Sequence, residues 1–149
     1  MDKVCIFGGT ELYGNVHVSG AKNACMAMFA AALLTDEICI LRNVPNLRDV
    51  NFFIQLLETL GVEIKKLAPN TWQIKASSIS SQAPYDLVRQ MRASVCIMGP
   101  LLGRLHQVAL PLPGGCVIGN RPIDLHLQGF EKLGCKVSLE QGIIHIRGI

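Results

Sequence analysis

One motif appears twice in this chain, and the repetition restricts what the chain can fold into. Leu57-Glu58-Thr59-Leu60-Gly61-Val62-Glu63-Ile64 returns 73 residues later as Phe130-Glu131-Lys132-Leu133-Gly134-Cys135-Lys136-Val137. In each copy the Leu-Gly pair closes a helix-like run with an acid near its start, Asp49 in the first and Asp124 in the second. A glycine just past the last helical residue supplies the positive φ that a helix C-cap favours. Upstream of each run lies a strand-like stretch, 37–43 and 106–112, and before that an apolar helical segment, 22–34 and 85–104. Downstream come short alternating stretches, 62–66 with 71–76 and 135–139 with 143–147. Gln141-Gly142 fits a hairpin turn, and Pro69-Asn70 fits one more loosely. The unit is therefore helix, strand, helix, strand, strand, repeated once. Strands separated by helices imply crossover connections and an α/β layer structure. Two such units side by side can share one core, with helices inside and sheets outside. A hairpin of 3–7 with 15–19 is expected ahead of the first unit.

A chain of 149 residues fits one domain, and a chain of that size buries roughly 70% of its unfolded surface. Half the residues are hydrophobic and 17% are charged, which excludes a disordered tail. The net charge of +3 comes from scattered basic residues, favouring small anionic ligands over nucleic acid. Aromatics are too few for base-stacking platforms. The longest apolar stretch, 24–34, is too short to span a bilayer and reads as a buried helix, so no membrane partner is expected. Cys5, Cys25, Cys39, Cys96, Cys116 and Cys135 form no C-x-x-C pair, and His106 and His126 have no metal spacing, so no metal site is expected. With no signal peptide in view, the cysteines read as reduced thiols in a cytoplasm.

The densest chemistry lies in Leu112-Pro113-Gly114-Gly115-Cys116-Val117-Ile118-Gly119-Asn120-Arg121-Pro122-Ile123-Asp124-Leu125-His126. A thiol at the tip of a Pro/Gly-rich loop can move in and out of a site, and a nearby cation favours its thiolate. The plainer alternative is a surface turn beside a buried-type cysteine. Arg121 can hold a phosphate bidentately. Pro122 suits a first helical turn, and Asp124 can serve a helix dipole only. Lys22 follows Ser19-Gly20-Ala21 at a strand-to-helix junction, where free amides and the helix dipole suit an anion; the alternative is a solvated surface lysine. Arg92 sits among Met91, Val95 and Met98 and can simply snorkel to water. Asp86 reads as helix-start chemistry and Trp72 as strand packing.

Three stretches together carry a resemblance. They are the 112–126 loop, Val18-Ser19-Gly20-Ala21-Lys22-Asn23-Ala24, and Ala83-Pro84-Tyr85-Asp86-Leu87-Val88 running into Met91-Arg92-Ala93-Ser94. In this order and spacing the chain resembles the UDP-N-acetylglucosamine 1-carboxyvinyltransferases, enolpyruvyl transferases of the EPSP synthase superfamily. The loop cysteine separates that family from the sister enzymes that make enolpyruvyl-shikimate phosphate. The resemblance implies an inside-out α/β barrel. Family members are much longer, with two domains of three repeat units each. Two units are present here, so the barrel is expected to be incomplete. Residues 1–21 would form a hairpin that packs with the second domain, and 22–149 a partial first domain.

The resemblance also implies a function: transfer of the enolpyruvyl group of phosphoenolpyruvate to the 3-hydroxyl of UDP-N-acetylglucosamine, the first committed step of peptidoglycan synthesis. Cys116 would be the catalytic acid and adduct position. Lys22 and Asn23 would contact phosphoenolpyruvate and the sugar, and Arg92 the UDP-sugar. Arg121, Pro122, Ile123, Asp124 and Leu125 would line the uridine and diphosphate site. No cofactor is implied. The family's general base is an aspartate of the second domain, and no segment here matches it. The expectation is a chain inactive alone, completed by a C-terminal portion or a partner chain. The alternative is a non-catalytic α/β module or truncated gene product that keeps weak anion or nucleotide-sugar binding. Cys96 stands where relatives often carry tryptophan, which alters one wall of the implied site.

Overall fold

The structure, a computed structural model, describes residues 3–113 and 122–148. Its order of elements follows the repeat. The first unit runs α1 (Lys22–Ala31), a 3₁₀ turn (Ala32–Leu34), β1 (Cys39–Leu41), α2 (Arg48–Thr59), β2 (Glu63–Ala68) and β3 (Thr71–Lys75). The second runs α3 (Tyr85–Gln90), a 3₁₀ segment (Arg92–Ile97), α4 (Met98–Leu105), β4 (Gln107–Pro111), α5 (Asp124–Lys132), β5 (Lys136–Glu140) and β6 (Ile143–Arg147).

The two sheets are copies in topology, β1-β3-β2 and β4-β6-β5, with every neighbouring pair antiparallel. The outer strands β1 and β2 are therefore parallel to each other, and α2 is the crossover that joins them. The same holds for β4, α5 and β5. Each crossover helix ends identically. In the first unit Val62 N–H donates to the Leu57 carbonyl and Gly61 N–H to that of Glu58; in the second, Cys135 donates to Phe130 and Gly134 to Glu131. This is a Schellman cap, and Gly61 (φ 94°) and Gly134 (φ 92°) supply the left-handed residue it requires. The hairpin turns expected from sequence are present, with positive φ at Asn70 in one and at Gln141 and Gly142 in the other.

One hydrophobic core serves both units. Phe29, Leu33, Phe53, Leu57 and Ile74 from the first unit share it with Ile97, Leu101, Leu110 and Ile144 from the second. In α2 the buried residues Val50, Phe53, Ile54 and Leu57 recur at helical spacing, which is why this stretch forms an amphipathic helix. α1 packs on α2 and on the 92–97 segment, while α4 packs on the 32–34 turn and on β4. α1, α2 and α4 bury residues in this core whereas α5 buries none, and two units do not close a ring.

The structure differs from the sequence reading at the N-terminus and in the 85–104 run. Residues 3–19 form no strand, so the hairpin of 3–7 with 15–19 is absent. Val4, Ile6, Phe7, Val16 and Val18 are all strongly exposed, and two strands with no third element to pack on are marginal at best. The helical run 85–104 is three pieces, because Met91 adopts an extended backbone (φ −142°, ψ 124°). The buried Ser94 hydroxyl closes that break, donating to the carbonyls of Met91 (2.6 Å) and Val88 (3.2 Å).

Candidate functional site

The chain enters α1 through a contact that tolerates no side chain. A Cβ on Gly20 would lie 2.0 Å from the Asn43 carbonyl oxygen. Asn43 itself has positive φ, and next to it Val44 N–H donates to the Asn70 carbonyl at 2.9 Å. Val44 and Pro45 are buried. The segment before α1 and the loop before α2 are thereby held together, which brings two helix N-termini side by side.

Lys22 is the first residue of α1, and Asp49 lies in the first turn of α2. Their side chains meet, with Lys22 Nζ donating to Asp49 Oδ2 at 2.5 Å. Both side chains remain nearly half exposed, at 42% and 49%. Behind them the helices are rooted in the core through Cys25 and Met26 on one side and Val50 and Phe53 on the other. Ala21 precedes α1 and carries no side-chain oxygen with which to cap its first amides. The corner thus combines an ammonium, an uncapped helix start and one carboxylate, all reachable from solvent. Sequence reading placed Asp49 only as a helix-start acid. The Gly20 contact, invisible in a linear pattern, is what makes it the partner of Lys22.

Asn23 follows Lys22 on α1 and is exposed. Arg92 opens the 3₁₀ segment that packs on α1, and it is half-buried. Lys22 and Arg92 therefore begin two elements in mutual contact. Pro122 is exposed and Ile123 is buried immediately ahead of α5. Asp124 is the first residue of that helix, and Leu125 projects almost wholly into solvent. Pro122 lies two residues ahead of α5 rather than in its first turn. Cys116 and Arg121 lie outside the described residues. Among the described residues no cluster of His, Cys, Asp or Glu could hold a metal ion. A shallow depression of about 400 Å³ lies along α2, lined by Asn46, Leu47, Arg48, Asn51, Phe52 and Gln55, and among the described residues none of the expected site residues lines it.

Two thiols near this corner are perturbed. Burial pushes the Cys25 thiol up, and partial burial of its sulfur does the same for Cys96. Desolvation disfavours a thiolate at both, so neither is primed as a nucleophile. Sequence reading also missed Arg104. Its guanidinium reaches from α4 to the carbonyls of Leu33 (3.1 Å), Thr35 (3.0 Å), Ala76 and Ser77 (3.4 Å). One second-unit side chain thus holds two segments of the first unit in place. No helix among the described residues is long and apolar enough to cross a membrane.

Comparison with known proteins matches residues 6–147 to the family model described as EPSP synthase (3-phosphoshikimate 1-carboxyvinyltransferase). Among individual relatives, the UDP-N-acetylglucosamine 1-carboxyvinyltransferase of Gloeobacter violaceus is 50% identical over 143 residues, covering 95% of this chain and 31% of the relative. That of Methylacidiphilum infernorum is 46% identical over 148 residues, covering 99% and 35%. That of Akkermansia muciniphila is 45% identical over 142 residues, covering 95% and 33%. The chain thus spans about a third of the length of these relatives. In three dimensions it resembles the enolpyruvyl transferase NikO from Streptomyces tendae, with TM-score 0.76 at 21% identity, covering 95% of this chain and 31% of that one. At that identity the likeness concerns the fold, and it matches the incomplete inside-out α/β barrel described above.

Proposed function

The chain belongs to the EPSP synthase family, and from that premise we propose that it supplies part of the first domain of an enolpyruvyl transferase acting on UDP-N-acetylglucosamine. The observation that carries the reading is the Lys22 corner. A lysine and an uncapped helix start stand open to solvent on a rigid core, where relatives named for this reaction align across nearly the whole chain. The reaction joins the 3-hydroxyl oxygen of the sugar, as its proton passes to the base, to the central carbon of phosphoenolpyruvate. The methylene carbon takes a proton, and phosphate then leaves as that carbon gives a proton up and the double bond re-forms. Such an addition and elimination needs an acid, a base and cations for carboxylate and phosphate.

Cys116 serves as the acid, and Lys22 and Arg121 hold the anionic groups of phosphoenolpyruvate. Asn23, Arg92 and the 121–125 run of Arg121, Pro122, Ile123, Asp124 and Leu125 hold the UDP-sugar. Residues 22–149 form two of the three units of a domain, and residues 1–21 pair with a second domain. The base and further cations come from outside these 149 residues, so a polypeptide of these residues alone does not turn over. The setting is peptidoglycan synthesis in the cytoplasm, with no cofactor.

The test is a chimera in which this chain replaces the aligned third of the Methylacidiphilum infernorum relative. Phosphate release from phosphoenolpyruvate in the presence of UDP-N-acetylglucosamine is expected, abolished by Cys116→Ala. The 149-residue chain alone should release none. A folded chimera with no turnover, or one indifferent to Cys116→Ala, overturns the reading.

A further inference from the structure

We propose that Asp49 is a positioning residue for Lys22, holding its ammonium in place for the anionic reactant. The proposal rests on the reading of Lys22 as an anion-binding cation. A lysine side chain is long and rotamer-rich, and a free one must be ordered by each ligand it meets. Here the Asp49 carboxylate has already fixed it, at 2.5 Å, from a different helix. The ammonium has three N–H donors, so the bond to Asp49 leaves two for a phosphate or carboxylate.

A role in stability alone does not account for this pair. Exposed ion pairs contribute little to folding, and both of these side chains are nearly half exposed. The repeat offers a further contrast. The second unit keeps the acid at the start of its crossover helix, Asp124. Its equivalent of α1 begins instead with Tyr85, which has no ammonium to offer. The Tyr85 hydroxyl accepts from Arg89 of its own helix at 3.0 Å. The acid therefore recurs with the fold, whereas the lysine that it pairs with does not.

The charge of Asp49 gives the proposal a distinctive signature. A carboxylate beside the ammonium repels an incoming anion, so it cannot serve ground-state affinity. Its contribution is orientation, which appears in turnover. In the chimera, Asp49→Asn should lower kcat roughly tenfold to a hundredfold while KM for phosphoenolpyruvate stays unchanged or falls. Asp49→Glu should restore part of kcat, and Lys22→Ala should abolish turnover. If Lys22→Ala leaves turnover intact, the anion-site reading fails at its root. If Lys22→Ala abolishes turnover but Asp49→Asn leaves kcat unchanged, or raises KM alone, Asp49 is not a positioning residue.

A second measurement needs no activity. In the 149-residue chain, the lysine side-chain NMR signal assigned to Lys22 through Lys22→Arg should shift and sharpen in Asp49→Asn, with the other lysine signals unmoved. An unchanged Lys22 signal would mean that the pair does not persist in solution, and the proposal would fall.

Discussion

Leu60 and Leu133 hold the same place in two copies of one motif, yet Leu60 is 1% exposed and Leu133 is 75% exposed. Their local structures agree: each is the last residue before the glycine of a Schellman cap. What differs is the cover. The connection to the second unit runs back over the first cap, with Ser80 N–H donating to the Leu60 carbonyl at 2.8 Å. The Ser78 carbonyl oxygen comes within 2.6 Å of where a Gly61 Cβ would stand. Among the described residues nothing equivalent covers the second cap, and α5 contains no fully buried residue.

Matched truncations should therefore give unmatched costs. Leu60→Ala empties a packed site and should destabilise by about 2–4 kcal/mol. Leu133→Ala removes a side chain already in water and should stay within about 0.5 kcal/mol. Urea unfolding of the two variants beside the parent chain measures both. Equal losses would mean that the second cap is covered in solution.

Arg104 joins the two units through backbone carbonyls, and its removal should be felt in both. Arg104→Ala strands the carbonyls of Leu33, Thr35 and Ala76 without their charged donor. With each charge-assisted bond worth about 1.5–3 kcal/mol and the set not additive, a loss of about 3 kcal/mol is expected. Arg104→Lys should recover only part of it, because an ammonium lacks the planar fork that reaches several acceptors at once. A calorimetric Tm lowered by roughly 6–12 °C in the alanine variant, with lysine between the two, would bear this out. A Tm within a degree of the parent would contradict it.

The parts of the fold legible in the sequence were those set by local chemistry. Leu-Gly pairs marked both caps, alternation marked β2, β3, β5 and β6, an unbroken apolar stretch marked α1, and helix-like runs opening on an acid marked α2 and α5. The break at Met91 was hidden because it depends on a buried serine hydroxyl reaching two carbonyls, and residue type does not encode that. The hairpin of 3–7 with 15–19 read well by alternation, but a strand pair needs a surface to pack on. At the corner, the start of a helix at Lys22 was legible from its Ser-Gly-Ala setting. The pairing of Lys22 with Asp49 was not, because it depends on Gly20 lying against Asn43, 23 residues away.

Thiol reactivity should follow exposure and desolvation. Among the described cysteines, Cys5 is exposed on a segment without packing and should alkylate first. Cys25 is buried and Cys96 is exposed, but both thiols are pushed up from 9.0 by desolvation. Their rates near pH 8 should be low and should still be climbing above pH 9.0. The same sign applies to stability: the folded state keeps the Cys25 proton, so this contribution is intact below the ordinary thiol value and is lost as pH rises through the raised one. Cys116, under the proposed role, should outpace Cys5. Brief alkylation across pH with peptide mapping decides these points. Cys25 labelling as fast as Cys5 would mean that the core opens readily.

Two glycines should respond in opposite directions to the same methyl group. A Cβ at Gly129 meets nothing within 4 Å, and the residue sits inside α5. Alanine there restricts the unfolded chain at no steric cost and should stabilise by about 0.5–1 kcal/mol. At Gly20 the added Cβ falls 2.0 Å from a backbone oxygen, so the Asn43 loop or the start of α1 must move. Overpacking of this kind costs about 1–3 kcal/mol, and the displaced elements are the ones that carry Lys22 and Asp49. Gly20→Ala should therefore lower the denaturation midpoint and shift the backbone amide NMR signals of residues 20–24 and 43–50. It should also loosen the ion pair, moving the Lys22 signal as Asp49→Asn does. Combined in one chain, Gly129→Ala should offset part of the stability lost to Gly20→Ala and leave the Lys22 shift in place. Recovery of the Lys22 signal along with stability would mean that the corner is set by global stability rather than by the Gly20–Asn43 contact.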